Sequence, residues 1–210
     1  MCGIFGYVGK KEAKPLLIEG LENLEYRGYD SAGIAISTNK GIKIVKRAGK
    51  VEELKKALKE ENIDGSVGIA HTRWATHGLP SELNAHPHTD VLKSVTLVHN
   101  GIIENYLELK NEFNLKTQTE SDTEIIAGLI AIMPEKNNLE KLKSVVKLLK
   151  GSYALAIIFS NEPECVYLAK KESPLMVGKS GDDIFVSSDA NAFKKYCSDF
   201  YILKNNKFAK

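Results

Sequence analysis

The chain has 210 residues, a length typical of one domain or of two small ones. Hydrophobic residues make up 43% and charged residues 27%, an ordinary composition for a globular protein that argues against intrinsic disorder. The 29 basic residues nearly balance the 27 acidic ones, so the net charge of +2 gives no reason to expect a nucleic-acid or membrane surface.

Short runs rich in β-branched and aromatic residues occur near both ends of the chain. They predict strands at residues 3–9, 32–37, 42–47, 66–72, 95–99, 153–159, 165–169 and 184–188. The polar turns at residues 38–41 and 180–183 favour antiparallel hairpins.

Apolar residues at helical spacing predict five helices between these strands. The helices run from Ala13 to Leu24, Val51 to Leu58, Ile102 to Phe113, Ile125 to Met133 and Leu139 to Leu149. Ser121 and Glu124 have the spacing of a capping box just before the fourth helix. Because strands and helices come in blocks, we predict an α+β fold with sheets packed against helices. No linker interrupts the sequence, so we expect one domain over residues 1–210.

The chain shows no targeting or membrane-spanning segment. The longest apolar run covers residues 125–133, which is too short to cross a bilayer. The N-terminus lacks a signal-peptide pattern, and Cys2 stands where N-myristoylation needs a glycine. Cys2, Cys165 and Cys197 are widely spaced, which favours free thiols in a reducing compartment. We therefore expect a cytoplasmic protein.

Cys2 is a candidate nucleophile because of its position. A small residue after Met1 usually permits removal of Met1, which would place the thiol beside its own α-amine. An α-amine has a pKa of about 7.7–8.0, so part of it is neutral at cellular pH and can accept the thiol proton. The alternative interpretation is a buried cysteine that happens to lie early in the chain.

The five histidines, His71, His77, His86, His88 and His99, all fall between residues 71 and 99. A metal site is the rival interpretation of this region. No cysteine accompanies the histidines and no HExxH spacing appears, so the metal signal is weak. We expect no metal.

Residues 71–78 follow an apolar strand and are rich in hydrogen-bond donors, as a binding loop would be. Arg73 offers a planar guanidinium suited to a carboxylate. The alternative is a surface Arg73 next to a core Trp74.

Asn100-Gly101 and Asp122 each have two interpretations. Asn-Gly most often marks a tight turn, but the amide of Asn100 and the N–H of Gly101 could also form an oxyanion hole. Asp122 stands at a predicted helix start, where it could cap the helix or hold an ammonium group.

Several segments together resemble the N-terminal-nucleophile glutaminase domain of class II glutamine amidotransferases. They are residues 2–4, 25–33, 71–78, 84–88, 98–105 and 121–124. The similarity covers nearly the whole chain, and it is closest to the branch that aminates fructose 6-phosphate. It implies a four-layer αββα sandwich of two antiparallel sheets, the fold of N-terminal nucleophile hydrolases.

The resemblance also implies catalytic roles. Cys2 would be the nucleophile and its freed α-amine the general base. Asn100 and Gly101 would form the oxyanion hole, and Arg27 would support the surroundings of the nucleophile. Glutamine would be hydrolysed to glutamate and ammonia through a glutamyl thioester, with no metal and no organic cofactor.

Substrate-binding roles follow from the same motifs. Arg73 would bind the glutamine α-carboxylate and Asp122 its α-ammonium. Thr76 and His77 would complete a loop that closes over the substrate, and Trp74 would shape or gate the site.

Members of this branch continue into a sugar-phosphate isomerase region that binds fructose 6-phosphate and uses the ammonia. Residues 1–210 end about where the glutaminase domain ends, so we expect the isomerase to be a separate domain or subunit that acts as partner. The alternatives are a free-standing glutaminase for another acceptor, a non-catalytic glutamine-binding module, and a zinc-dependent hydrolase.

Overall fold

The computed structural model describes residues 2–74 and 81–210, and within them twelve strands form two antiparallel sheets. The first sheet has seven strands in the order β11-β9-β10-β1-β4-β2-β3. Their bounds are β1 Gly3–Val8, β2 Ser31–Thr38, β3 Gly41–Ala48, β4 Val67–Arg73, β9 Met176–Ser180, β10 Asp183–Ser187 and β11 Phe200–Ile202.

The second sheet has five strands in the order β12-β8-β7-β6-β5. Their bounds are β5 His88–Thr89, β6 Val95–Ile103, β7 Gly151–Phe159, β8 Glu162–Lys171 and β12 Lys207–Ala209. Five α-helices lie within the described residues: α1 Ala13–Glu22, α2 Val51–Lys59, α3 Tyr106–Glu112, α4 Asp122–Ile132 and α5 Asn138–Leu148. None of these helices is both long and apolar enough to cross a membrane.

Three apolar layers hold the sandwich together. Leu17 and Leu21 of α1 pack on the outer face of the seven-stranded sheet. Ile126 of α4 and Leu142 of α5 pack on the outer face of the five-stranded sheet. The middle layer lies between the sheets. It contains Ile4 from β1, Val67 and Ile69 from β4, Val98 from β6, Ala154, Ala156 and Ile158 from β7, and Val166 and Leu168 from β8. The order of layers is therefore α, β, β, α.

Strand periodicity explains how one strand serves two layers. Successive side chains of a strand point to opposite faces. On β7, Leu155 and Ile157 pack toward the helices while Ala154 and Ala156 pack toward the other sheet. Because both faces of β7 are buried, its sequence is a nearly continuous run of apolar residues.

The predicted α+β fold and all eight predicted strands are confirmed, as are the hairpin turns before β3 and before β10. Strands β5, β9, β11 and β12 were not predicted. Two of them, Phe200–Ile202 and Lys207–Ala209, have three residues each, which is too short for an alternating pattern to show.

Two details of the predicted helices are wrong. Ile102 does not begin the third helix, because β6 continues to Ile103 and α3 starts only at Tyr106. The capping box is only half formed. The Ser121 side chain accepts a hydrogen bond from Thr123 N, but the Glu124 carboxylate bonds the N–H groups of Gln118 and Thr119 in the preceding loop.

Gly20 lies in α1 directly against the Phe5 ring, where a Cβ would collide with it. Gly20→Ala is therefore expected to lower the free energy of unfolding by about 1–3 kcal/mol through overpacking. Gly128→Ala in α4 is the matched control, because a Cβ there would meet Leu115 at 3.4 Å, close to ordinary contact. The control should gain up to about 1 kcal/mol from helix propensity. Urea unfolding measures the free energy of unfolding of both variants. Equal values for Gly20→Ala and Gly128→Ala would contradict the close packing of Gly20 against Phe5.

Candidate functional site

The site lies where the N-terminal end of β1, the end of β4 and the end of β6 meet. Gly3 pairs with Thr72 in the first sheet, so Cys2 lies beside Arg73 and Trp74. Residues two apart on a strand share a face. Cys2 therefore continues the row of Ile4, which packs in the middle layer between the sheets.

Asn100 stands opposite Cys2 by the same periodicity. It follows Val98, a middle-layer residue of β6, at a spacing of two. Its Nδ2 donates a hydrogen bond to the backbone oxygen of Cys2 at 3.2 Å. The two sheets thus bring a thiol and a carboxamide together at the open edge of their shared apolar layer.

The Cys2 thiol is held by the backbone of Trp74. The N–H of Trp74 donates to Cys2 Sγ at 3.3 Å, and the thiol donates to the Trp74 oxygen at 3.6 Å. Burial raises the pKa of the Cys2 thiol, and the hydrogen bond from Trp74 only partly opposes this. At neutral pH the group is therefore protonated, and a nucleophilic role requires a base.

Asn100 and Gly101 do not form a tight turn, so that interpretation is wrong. Both lie within β6, opposite Ala154 and Tyr153 of β7. Gly101 has a φ of 139°, and a Cβ there would collide with the oxygen of Ser152. Position 101 therefore requires glycine.

Asp122 is the first residue of α4, and its side chain does not cap the helix, since Ser121 is the N-cap. Asp122 Oδ2 accepts a hydrogen bond from Ile103 N at 2.9 Å, and Oδ1 accepts one from Thr123 Oγ1 at 3.2 Å. Burial raises the pKa of Asp122, but the His99 ring and these hydrogen bonds outweigh it and lower the pKa to about 2. The carboxylate is therefore ionised at neutral pH.

The alternative of a surface Arg73 beside a core Trp74 is wrong in both parts. Arg73 is 7% exposed and Trp74 is 54% exposed. Arg73 lies at the end of β4, with its Nη1 3.9 Å from Oδ1 of Asp30. A largely buried guanidinium at the edge of the site is suited to binding an anion.

Two clefts flank Cys2. The first, named here the charged cleft, is lined by Cys2, Arg73, Trp74, His86, His99, Gly101, Ser121, Asp122 and Thr123. The second is lined by Cys2, Arg27, Trp74, Asn100, Gly101, Ile102, Ser152, Ser173 and Pro174. Of the predicted binding set, Arg73 and Asp122 thus lie together on one side of the thiol.

Arg27 borders the second cleft rather than the charged one. Its Nη1 contacts Oδ2 of Asp189 at 3.0 Å, and the Tyr26 hydroxyl donates to the same oxygen at 2.5 Å. Asp189 was not identified from the sequence, because it lies 162 residues from Arg27 and carries no local motif. Thr76 and His77 lie outside the described residues.

His71, His86, His88 and His99 are buried in the structure. Burial lowers the pKa values of His71 and His88 to about 3 and that of His86 well below its usual range. These three rings are therefore neutral. The Nε2 of His71 faces two oxygens, those of His99 and of the Asn100 side chain, both at 3.0 Å. This Nε2 must carry a proton between the two oxygens, so Nε2 is not a metal ligand.

The described histidines form no group of three metal ligands. Within the part of the chain that the structure describes, such a group occurs at Glu162, Glu164 and Cys165 on β8. That cluster is partly exposed and lines neither cleft. Within residues 2–74 and 81–210 the geometry thus gives no support to the zinc-hydrolase interpretation.

Comparison with protein families matches residues 71–195 to the family described as a glutamine amidotransferase domain. Curated relatives named glutamine–fructose-6-phosphate aminotransferase (isomerizing) include the protein of Clostridium tetani, 46% identical over 99% of this chain. The protein of Pyrococcus horikoshii with the same name is 47% identical over 93% of the chain. The chain spans about a third of these relatives, 35% and 34% of their lengths.

Two solved structures share the fold. One is described as the allosteric regulatory enzyme of purine biosynthesis; it has a TM-score of 0.82 and 30% identity, and the match covers 92% of this chain and 43% of that one. The other is the glutamine phosphoribosylpyrophosphate amidotransferase from B. subtilis complexed with ADP and GMP. It has a TM-score of 0.81 and 28% identity, over 100% of this chain and 49% of that one.

These neighbours confirm the predicted αββα sandwich of the N-terminal nucleophile hydrolases. The family match covers more than half of the chain and includes the charged residues Arg73 and Asp122. The chain therefore belongs to the glutamine amidotransferase domain family.

Proposed function

We propose that this domain hydrolyses L-glutamine to glutamate and ammonia with Cys2 as nucleophile. One observation carries the proposal: a cysteine thiol shares a cleft with a buried arginine and an ionised aspartate, and an asparagine amide lies on its other side. Residues 1–210 act in this proposal as one glutaminase domain in the cytoplasm.

Glutamine is a zwitterion, so its recognition needs a cation, an anion and a slot for its amide. In the proposal, Arg73 binds the α-carboxylate and Asp122 binds the α-ammonium. Thr76, His77 and Trp74 complete the binding surface. The side-chain amide then extends toward Cys2.

The proposed reaction is acyl transfer. Because the pKa of the Cys2 thiol is raised, its proton must pass to a base, and the α-amine freed by removal of Met1 serves. The sulfur attacks the amide carbon, and the carbonyl electron pair moves to oxygen. Asn100 Nδ2 and the N–H of Gly101 stabilise this oxyanion.

Collapse of the tetrahedral intermediate breaks the carbon–nitrogen bond. The leaving nitrogen takes back the proton held by the α-amino group of Cys2 and departs as ammonia, leaving a γ-glutamyl thioester. Water then hydrolyses the thioester to glutamate and restores the thiol. No metal or organic cofactor takes part in these steps.

We further propose that the ammonia aminates fructose 6-phosphate. The support is the name shared by the curated relatives, which are about three times as long as this chain. The acceptor site would belong to a sugar-phosphate isomerase domain or subunit outside residues 1–210. A free-standing glutaminase that serves another acceptor is the alternative.

Cys2→Ala is expected to abolish ammonia release while glutamine binding persists, since the variant loses only the nucleophile. The measurement is ammonia release together with intact mass after incubation with 6-diazo-5-oxo-L-norleucine, a diazoketone analogue of glutamine. The Met1-free protein should gain one adduct, mapped to Cys2. Cys165→Ala is the control and should label and hydrolyse normally.

Substantial ammonia release from Cys2→Ala would contradict the proposal. Tight glutamine binding without hydrolysis by the Met1-free wild type would favour a binding module instead. Intact mass identifies any protein that retains Met1, so inactivity of such protein is not confused with either result.

Asp122→Asn and Arg73→Ala are each expected to raise KM by roughly 10- to 100-fold, since a hydrogen bond to a charged group is lost in each.

The Asp122 carboxylate is ionised above about pH 3, so wild-type KM should not change through titration of Asp122 between pH 5 and 9. Steady-state kinetics on glutamine measures both effects. Asp182→Asn, at an exposed position, and Arg47→Ala, at a half-exposed one, lie outside both clefts and are controls with unchanged KM. Normal KM in both cleft variants would refute zwitterion recognition.

A further inference from the structure

A chain of hydrogen bonds, buried except for its last link to Asp122, joins Asn100 on β6 to Asp122 on α4. Asn100 Oδ1 is 3.0 Å from His71 Nε2, and His71 Nε2 is 3.1 Å from His86 Nδ1. His86 Nε2 is 3.1 Å from Thr123 Oγ1, which donates to Asp122 Oδ1 at 3.2 Å. The two ends of this chain are residues of the proposed site, and its three middle residues have no assigned role.

The orientation of the Asn100 carboxamide follows from its two neighbours. Its Nδ2 donates to the Cys2 oxygen, and its Oδ1 faces His71. In the flipped orientation two oxygens would face each other across 3.2 Å with no donor between them. The amide nitrogen carries two hydrogens, so one bonds Cys2 and the other remains for the reacting centre.

The ring proton of His71 lies on Nε2. The backbone oxygen of His99 and Oδ1 of Asn100 are both acceptors, each 3.0 Å from Nε2. Burial lowers the pKa of His71 to about 3, so the ring is neutral and carries one proton. Its Nδ1 is buried and has no hydrogen-bond partner within residues 2–74 and 81–210, as expected for the bare nitrogen of this tautomer.

The proton positions on the other side chains of the chain follow from that of His71. Since His71 Nε2 carries a proton, His86 Nδ1 must be bare and accept, and His86 Nε2 carries the proton that is donated to Thr123 Oγ1. The Thr123 hydroxyl donates to Asp122 and accepts from His86 and from Nδ1 of His99, 3.1 Å away. With these positions no two hydrogens face each other along the chain, and the single N–H of His71 is shared among its three acceptors.

We propose that His71 is a positioning residue of the glutaminase reaction: its Nε2–H holds the side-chain oxygen of Asn100, which turns Asn100 Nδ2 toward the oxyanion. The inference rests on the role of Asn100 in the proposed function. His86 and Thr123 fix the His71 tautomer from the other side. Asp122, at the far end, connects the ammonium-binding end of the charged cleft to the same chain.

The test compares His71→Phe, which keeps a ring but removes the donor, with His71→Gln, which restores an N–H. His71→Phe is expected to lower kcat by roughly 10- to 100-fold, somewhat less than loss of an oxyanion donor itself. KM for glutamine and Kd for glutamate should stay within about threefold of wild type, because the charged residues are untouched. His71→Gln should recover most of kcat, and iodoacetamide should alkylate Cys2 at the same rate in all three proteins.

His88→Phe is the matched control. His88 is buried beside His86, with the two rings edge to face and their centroids 4.7 Å apart. It takes no part in the hydrogen bonds that join Asn100 to Asp122. A general loss of packing would affect both Phe variants, whereas a positioning role affects only His71→Phe.

A double-mutant cycle separates positioning from structural damage. If His71 acts through Asn100, then His71→Phe should have little further effect in an Asn100→Ala background. Additive losses of kcat in the cycle would overturn the proposal. So would full activity of His71→Phe, and that result would leave the proposed function intact.

A spectroscopic measurement needs no activity and no substitution that could impair folding. The ¹⁵N chemical shifts of the imidazole nitrogens in the wild-type protein distinguish N–H from bare nitrogen. The expected pattern is a protonated Nε2 on both His71 and His86. A protonated Nδ1 on His71 would overturn the proposal even if the enzyme hydrolyses glutamine as proposed, and failure of hydrolysis in the wild type would instead count against the proposed function.

Discussion

The apolar layer between the two sheets is the constraint on which the site depends. Ile4, Ile69 and Val98 pack together in this layer. Cys2, His71 and Asn100 stand two residues from them on the same strand faces, at the edge where the layer opens. Packed sheets lie about 10 Å apart, a distance that side chains from both sheets can bridge. Burial of the apolar residues thus sets the positions of the polar ones.

The buried polar edge of this layer has an energetic cost that its hydrogen bonds offset. A buried imidazole or amide without a partner destabilises the fold by about 1–3 kcal/mol, so its hydrogen bonds determine which arrangement is stable. His71 and His86 are neutral because charging them in this environment would require desolvating a cation. The same requirement gives each ring one tautomer and gives the Asn100 amide one orientation.

The charged cleft has both of its charged side chains on one side of Cys2. Asp122 at the start of α4 is ionised, and Arg73 lies at the end of β4 on the same side of Cys2. The start of a helix favours a negative side chain, which helps to keep Asp122 charged. The thiol itself, with its raised pKa, depends on a base rather than on these charges.

Much of the fold and of the candidate site could be predicted from the sequence. Local patterns predicted eight strands, five helices and an α+β fold, and the motif resemblance predicted the αββα layers and the residues that meet at Cys2. The short strands β5 and β11 were missed because two or three residues are too few to show an alternating pattern. Asn100-Gly101 could be taken for a turn because the strand that pairs with it, β7, lies far along the chain. The sequence by itself determined which residues are candidates for the proposed chemistry, since periodicity and motifs are local. Only the tertiary structure decided the tautomer of His71 and the orientation of Asn100, because these depend on buried hydrogen bonds between residues distant in sequence.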